Sequence, residues 1–179
     1  MNQRISELIE NAKLDDSQLF SQLLSALSHK EKKVVIGASL VLGRLGDERA
    51  ETALIRAFLT TDQEIGAAVA WALGRCHSQR AVPFLAKAIE KNFAAPNSCE
   101  ALGCVGNEEV LPVLLDALKS ANEDVRACAV KALGDIYCRC SIQFRSKIRA
   151  ELQRLLKDPS RKVRICVCVV SERTATDTP

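Results

Sequence analysis

The sequence predicts an all-α solenoid, a right-handed superhelix of paired helices, on three observations. A Leu-Gly pair recurs as Leu42-Gly43, Leu73-Gly74, Leu102-Gly103 and Leu133-Gly134, with its glycines 31, 29 and 31 residues apart. Ala72, Ala101 and Ala132 precede three of these pairs and Val41 the first, each closing a stretch with apolar residues at helical spacing. Asp47, Ser78 and Asn107 each stand four residues after a Leu-Gly glycine, and all three are good helix N-caps. A fixed period near 31 residues marks stacked units of supersecondary structure, each burying its apolar face against its neighbours.

The elements follow in order. Residues 2–28 are expected to form an N-terminal helix pair, from the helical patterns RISELIENA and SQLFSQLLSAL. Helix-pair repeats follow at 31–60, 62–92, 94–120 and 122–157, and an unpaired last helix at 159–171. The array thus spans 1–171, and the polar stretch 172–179 reads as a disordered tail. In the second repeat Thr61-Asp62 offers an N-cap, and Ile65 to Leu73 is Ala-rich and apolar. Gly74 is expected to turn the chain at the helix end, as are the glycines of Gly43-x-x-Gly46 and Gly103-x-x-Gly106. Ser78 then caps a helix through Val82, Leu85, Ala88 and Ile89. The third repeat is short at its front, where Pro96 sets the first turn, and the fourth carries a longer connection, YCRCSIQF, with no cap at Cys138. Asp158-Pro159 starts the last helix with proline at its first position. Strand-like alternation is confined to the β-branched run Ile165 to Val170.

Composition narrows the function classes. Apolar residues make up 47% of the 179, charged residues 26% and aromatics 4%, so alanine and leucine fill the core. The net charge of +3 is too weak to argue for nucleic acid, and no apolar run is long enough for a membrane span. With no export signal the expected location is cytoplasmic, where Cys76, Cys99, Cys104, Cys128, Cys138, Cys140, Cys166 and Cys168 should be thiols. The pairs Cys138/Cys140 and Cys166/Cys168 have i, i+2 spacing, which on a helix points side chains about 200° apart, so no metal or other cofactor is expected. His29 and His77 read as solvated turn residues, no phosphate loop or nucleophile elbow occurs, and no catalytic residue is assigned.

The repeat itself resembles the short HEAT-like repeats associated with phycobilisome (PBS) lyase subunits, of pattern Val-Arg-x-x-Ala-x-x-Ala-Leu-Gly-x-x-Gly-Asp-x-x-Ala-x-x-x-Leu. The resemblance covers 31–170 and is carried by the segments 37–59, 66–89, 97–118 and 125–137. Departures are informative. The Val-Arg pair survives only as Val125-Arg126 and Val163-Arg164, with Val34-Val35 and Ile65-Gly66 in its place earlier. Ser171-Glu172 stands where the last Leu-Gly should be, so the array lacks the usual polar cap at that end. No His-Glu pair occurs, which separates the chain from di-iron hydroxylases built on such repeats.

The resemblance implies that second helices line the concave face. Arg49, Arg56, Arg80, Lys87 and Asp116 would then share that face with Phe84, an aromatic among cations of the kind found at protein hot spots. Leu40 and Trp71 occupy matching places on the first helices, where Glu100 and Lys131 follow, and form a candidate convex contact. The expected function is a non-enzymatic scaffold or adaptor for a partner protein with an acidic contact surface, with self-association through the C-terminal end. The alternative that the resemblance implies is a subunit of a heterodimeric bilin lyase or a related chromophore-handling factor.

Overall fold

The computed structural model describes residues 16–59 and 62–175. The first helix of the expected N-terminal pair and the cap at Thr61 lie outside them. The helices are α1 (Asp16–Ala26), α2 (Lys32–Leu45), α3 (Glu51–Phe58), α4 (Gln63–Arg75), α5 (Val82–Glu90), α6 (Ala95–Val105), α7 (Leu111–Ala117), α8 (Glu123–Ile136), α9 (Ile142–Leu155) and α10 (Arg161–Ala175). Short 3-10 turns at Glu48–Ala50, Gln79–Ala81, Glu108–Val110 and Tyr137–Arg139 lead into α3, α5, α7 and α9. Among the described residues there is no strand, and no helix is long and apolar enough to cross a membrane. The run Ile165 to Val170 is helical, with Val167 and Val170 buried by packing that outweighs their weak local preference.

Two layers result. In one, α2, α4, α6, α8 and α10 stack directly on each other. In the other, α3, α5, α7 and α9 each pack mainly on the first-layer helix that follows. Between them runs a continuous strip in which Leu42, Leu73, Leu102 and Leu133 meet Leu54, Leu85 and Leu114, all with no exposed surface. Burial of each such side chain stabilises by roughly 1.5–3 kcal/mol.

The Leu-Gly glycines correct one expectation. They do not end helices; Gly43, Gly74, Gly103 and Gly134 lie inside α2, α4, α6 and α8 and are buried where the next helix crosses. A Cβ on Gly74 would stand 2.7 Å from Ala101 Cα, and one on Gly103 would stand 2.8 Å from Ala132 Cα. Only hydrogen fits there. Termination belongs to the second glycine of each pair, Gly46 at φ 64° and Gly106 at φ 69°, each bonding its N–H back to Leu42 or Leu102.

Most caps form where the sequence put them. Asp62 accepts the Glu64 and Ile65 N–H groups, Asp47 that of Arg49, and Ser78 that of Ala81. Asn107 does not cap. Its amide instead donates to Gln79 Oε1 at 2.8 Å and to Glu109 Oε2 at 3.2 Å. Pro159 falls before α10, whose start is organised by Asp158 accepting from the Ser160 N–H at 2.8 Å. Finally, α10 runs to Ala175, into the stretch expected to be disordered. Buried Thr174 and an ion pair from Arg173 to Asp135 at 3.2 Å hold it on α8.

Candidate functional site

The expected patch divides when its charges are followed to their partners. Arg49 is turned onto Asp47, at 2.6 Å, with its guanidinium 4.6 Å above the Phe20 ring. The Arg49 hydrogen bonds hold the Asp47 carboxyl below its usual range. Arg80 reaches Glu51 at 3.4 Å, and Asp116 pairs with Lys119 at 3.0 Å. Arg56 and Lys87 remain exposed and make no ion pair among the described residues.

Arg56 and Phe84 line different hollows of the second-helix layer. Between α1 and α3 lies one of about 660 Å³, reached by Arg56, Arg49 and His29. Between α3 and α5 lies one of about 560 Å³ with Phe58, Phe84 and Phe93 in its wall and Lys87 and Lys91 beside them. Leu59 borders both and is 64% exposed. Phe58 and Phe93 meet edge to face, their centroids 5.7 Å apart.

This second hollow depends on an unusual turn. Asn92 and Ala94 both adopt positive φ, 53° and 44°, a conformation that costs an alanine about 1 kcal/mol or more. Two bonds hold it: the Phe93 N–H donates to Ala88 O at 2.8 Å, and the Ala94 N–H to Gln63 Oε1 at 2.8 Å. The Phe93 ring then fits over Gly66, where a Cβ would lie 2.5 Å from the ring. Gly66 occupies the place where the repeat pattern has arginine, so the missing arginine and the inward phenylalanine are one exchange. Lys91, Leu59 and Phe93 were not foreseen. The available signals were the Phe58-Leu59 pair at a helix end and the loss of arginine at Gly66.

The other layer carries Leu40, 38% exposed, and Trp71, half-buried with its ring against Gly43. Trp71 borders a shallow groove of about 290 Å³ with Arg44, Arg75, Glu100 and Cys104. His29 and His77 are exposed turn residues. His77 Nδ1 lies 2.9 Å from Cys104 O, so this nitrogen carries the proton and donates. Among the described residues no group of three His, Cys, Asp or Glu is placed to hold a metal ion.

All eight cysteines are thiols. Burial pushes Cys99 up to about 12, and raises Cys76, Cys104, Cys128 and Cys140. Cys138 and Cys168 are exposed. Maleimide at neutral pH should therefore label Cys138 and Cys168 first, and Cys99 only after denaturant is added. Peptide mass mapping that finds Cys99 labelled as fast as Cys168 would contradict this packing.

Against solved structures, the similarity is to other helical repeat arrays. A designed armadillo repeat protein in complex with the peptide (KR)4 aligns over 97% of this chain and 86% of its own, at 17% identity and a TM-score of 0.67. A second designed armadillo repeat protein covers 97% and 87% at 17% identity, TM-score 0.61. Computationally designed armadillo repeat proteins for modular peptide recognition align over 85% and 80%, also at 17% identity, TM-score 0.59. These identities speak to fold alone. No curated protein matches the sequence. The family signal comes from the repeats themselves, where residues 20–96 and 94–143 match HEAT repeats. With the Leu-Gly seam, the paired helices and that match covering most of its length, the chain belongs to the HEAT-repeat family.

Proposed function

We propose that the protein is a non-enzymatic scaffold that holds a segment of a partner protein in the hollow between α3 and α5. The observation that carries this reading is chemical. An apolar wall of Phe58, Phe84 and Phe93 with exposed Leu59 adjoins two lysines, Lys87 and Lys91. Such a surface suits an extended or helical segment that presents an aromatic or aliphatic anchor beside Asp or Glu. The architecture supports the reading, since one similar designed repeat protein was solved holding a peptide, (KR)4. That peptide is basic, whereas the lysines here favour acidic residues.

A stack curves toward its more closely spaced layer, and the glycine seams support close spacing of α2, α4, α6, α8 and α10. We therefore read Arg56, Phe84 and Lys87 as outer-layer residues rather than concave ones, and Leu40 and Trp71 as inner. Trp71, between Arg44 and Arg75, is then a second, smaller contact.

A selection from a random peptide library displayed on phage tests the proposal. Peptides joining an apolar anchor to Asp or Glu should be enriched, and Phe84→Ala should weaken their binding by about 30-fold while circular dichroism stays unchanged. Lys87→Glu should weaken them further and reduce the salt dependence. Enrichment of basic peptides, or equal binding by Phe84→Ala, would sink the reading. The finer likeness to PBS-lyase repeats has its own test: a new visible absorption band on incubation with phycocyanobilin would move the function to chromophore handling.

A further inference from the structure

We infer that α10 is the contact element of a two-fold homodimer, in which two copies of this helix pack antiparallel with Arg164 of each opposite Glu172 of the other. The argument begins with how each Leu-Gly helix receives the next. Ser39, Ala70, Cys99 and Val130 share one register of α2, α4, α6 and α8, and none has exposed surface. Four residues on, Gly43, Gly74, Gly103 and Gly134 lie under the following helix. In α10 these two places hold Cys168 and Glu172, and both are exposed. Beside them Ile165 and Val169 are 53% and 52% exposed. Among the described residues no helix covers this face.

A helix stacked as α10 sits on α8 does not suit it. That seam brings Val170 within 2.7 Å of where a Cβ on Gly134 would be, and Glu172 puts a whole side chain at the equivalent place. The occupant must answer a carboxylate instead of closing on a glycine.

Arg164 shows what else the face offers. Its counterpart Arg126 divides its guanidinium between two jobs. Nη1 donates to the Ser120 and Ala121 carbonyls at 2.8 and 3.1 Å, while Nε and Nη2 each hold the Asp158 carboxylate of the next unit at 2.9 Å. Arg164 repeats the first job, Nη1 donating to the Asp158 and Pro159 carbonyls at 2.7 and 2.9 Å. Its Nε–Nη2 edge has no carboxylate partner among the described residues. By the same register, that edge is directed to the uncovered side of α10.

Arg164, Cys168 and Glu172 are spaced by four and form one ridge, with Ile165 and Val169 on the next. Arg164 and Glu172 are about 12 Å apart along the axis, with Cys168 midway. A two-fold axis through Cys168 therefore sets each Arg164 against the other copy's Glu172 and closes Ile165 and Val169 at the centre. Parallel pairing would set like charges together. The face is thus complementary to itself in one orientation, which selects a second copy of this chain as the occupant. One helix face is smaller than a standard interface, so the dimer forms at high concentration.

Sedimentation velocity from about 10 μM to about 1 mM should show the mass rising from one chain toward two. Arg164→Glu and Glu172→Arg should each weaken association at least about 10-fold. An equimolar mixture of the two variants should associate again, because each then supplies the charge the other lacks. In a Cys138→Ser background, a short bismaleimide should link two otherwise unaltered chains through Cys168. If circular dichroism shows that Arg164→Glu does not fold, Glu172→Arg decides alone, since Glu172 is an exposed side chain. A mass of one chain across the range, association unaltered by Glu172→Arg, or a mixture of folded variants that stays monomeric would each overturn the inference.

Discussion

Replacing Gly103 by valine should open the centre of the array and cost about 3 kcal/mol or more of stability. Even one added carbon at this site would lie 2.8 Å from Ala132 Cα and 2.9 Å from Ala132 Cβ. Both atoms belong to a helix core and cannot rotate aside, so α6 and α8 must separate. Separation strips contact from every residue along the seam. Helix propensity alone predicts the opposite sign, because alanine is better than glycine inside a helix by about 1 kcal/mol. Gly103→Ala therefore sets clash against propensity at a single atom, and a net loss is expected. Urea titrations followed by circular dichroism read both variants. A Gly103→Ala chain as stable as wild type would mean that the seam tolerates a methyl group and that closeness is not what the glycine is for.

The second large effect is expected at Arg126. Its guanidinium holds Asp158 bidentately, with side chains 11% and 4% exposed. Arg126→Met leaves a buried carboxylate with the Ser160 N–H as its one remaining hydrogen bond and the Arg164 charge nearby, and should cost about 3 kcal/mol. The double variant Arg126→Met, Asp158→Asn should recover part of that loss, since the stranded charge is gone. Acidity gives an independent reading. The Arg126 guanidinium, ahead of the Ser160 N–H, holds the Asp158 carboxyl below the usual carboxylate range. A depressed folded value means that the stabilisation is complete above about pH 4 and is lost as pH falls through the folded value. Asp158→Asn should remove that component of the acid unfolding curve. Identical acid curves for the two chains would show that the pair contributes nothing to the linkage.

Sequence legibility followed the physics of each contact. Helix order, the two-helix unit and most caps were readable because periodicity and N-cap chemistry are local. The role of Gly74 was misread because a glycine near a helix end looks like a terminator, while its purpose lies on the backbone of Ala101, 27 residues away. Asn107 fits a cap locally, yet it bonds Gln79 of the preceding unit. Of the expected surface, Phe84 and Lys87 do come together. Arg49, Arg80 and Asp116 are neutralised by Asp47, Glu51 and Lys119, and only side-chain directions reveal those pairings. Phe93 joins the hollow because Asn92 and Ala94 take positive φ, which neither residue type announces.

The glycine seam also gives the molecule unequal stiffness through its thickness. Contacts between backbone and methyl groups have no side-chain torsions to relax, so the layer of α2, α4, α6 and α8 behaves like an inextensible strip. The α3, α5 and α7 layer is joined through longer side chains with open hollows between them, and it can stretch. A load along the array would bend it about the strip, widening or narrowing the Phe84 hollow with little change in the Leu-Gly helices. Amide exchange should register the same asymmetry, slow along the strip and faster in α3, α5 and α7, so that the width of the Phe84 hollow and flexing of the whole rod become one motion.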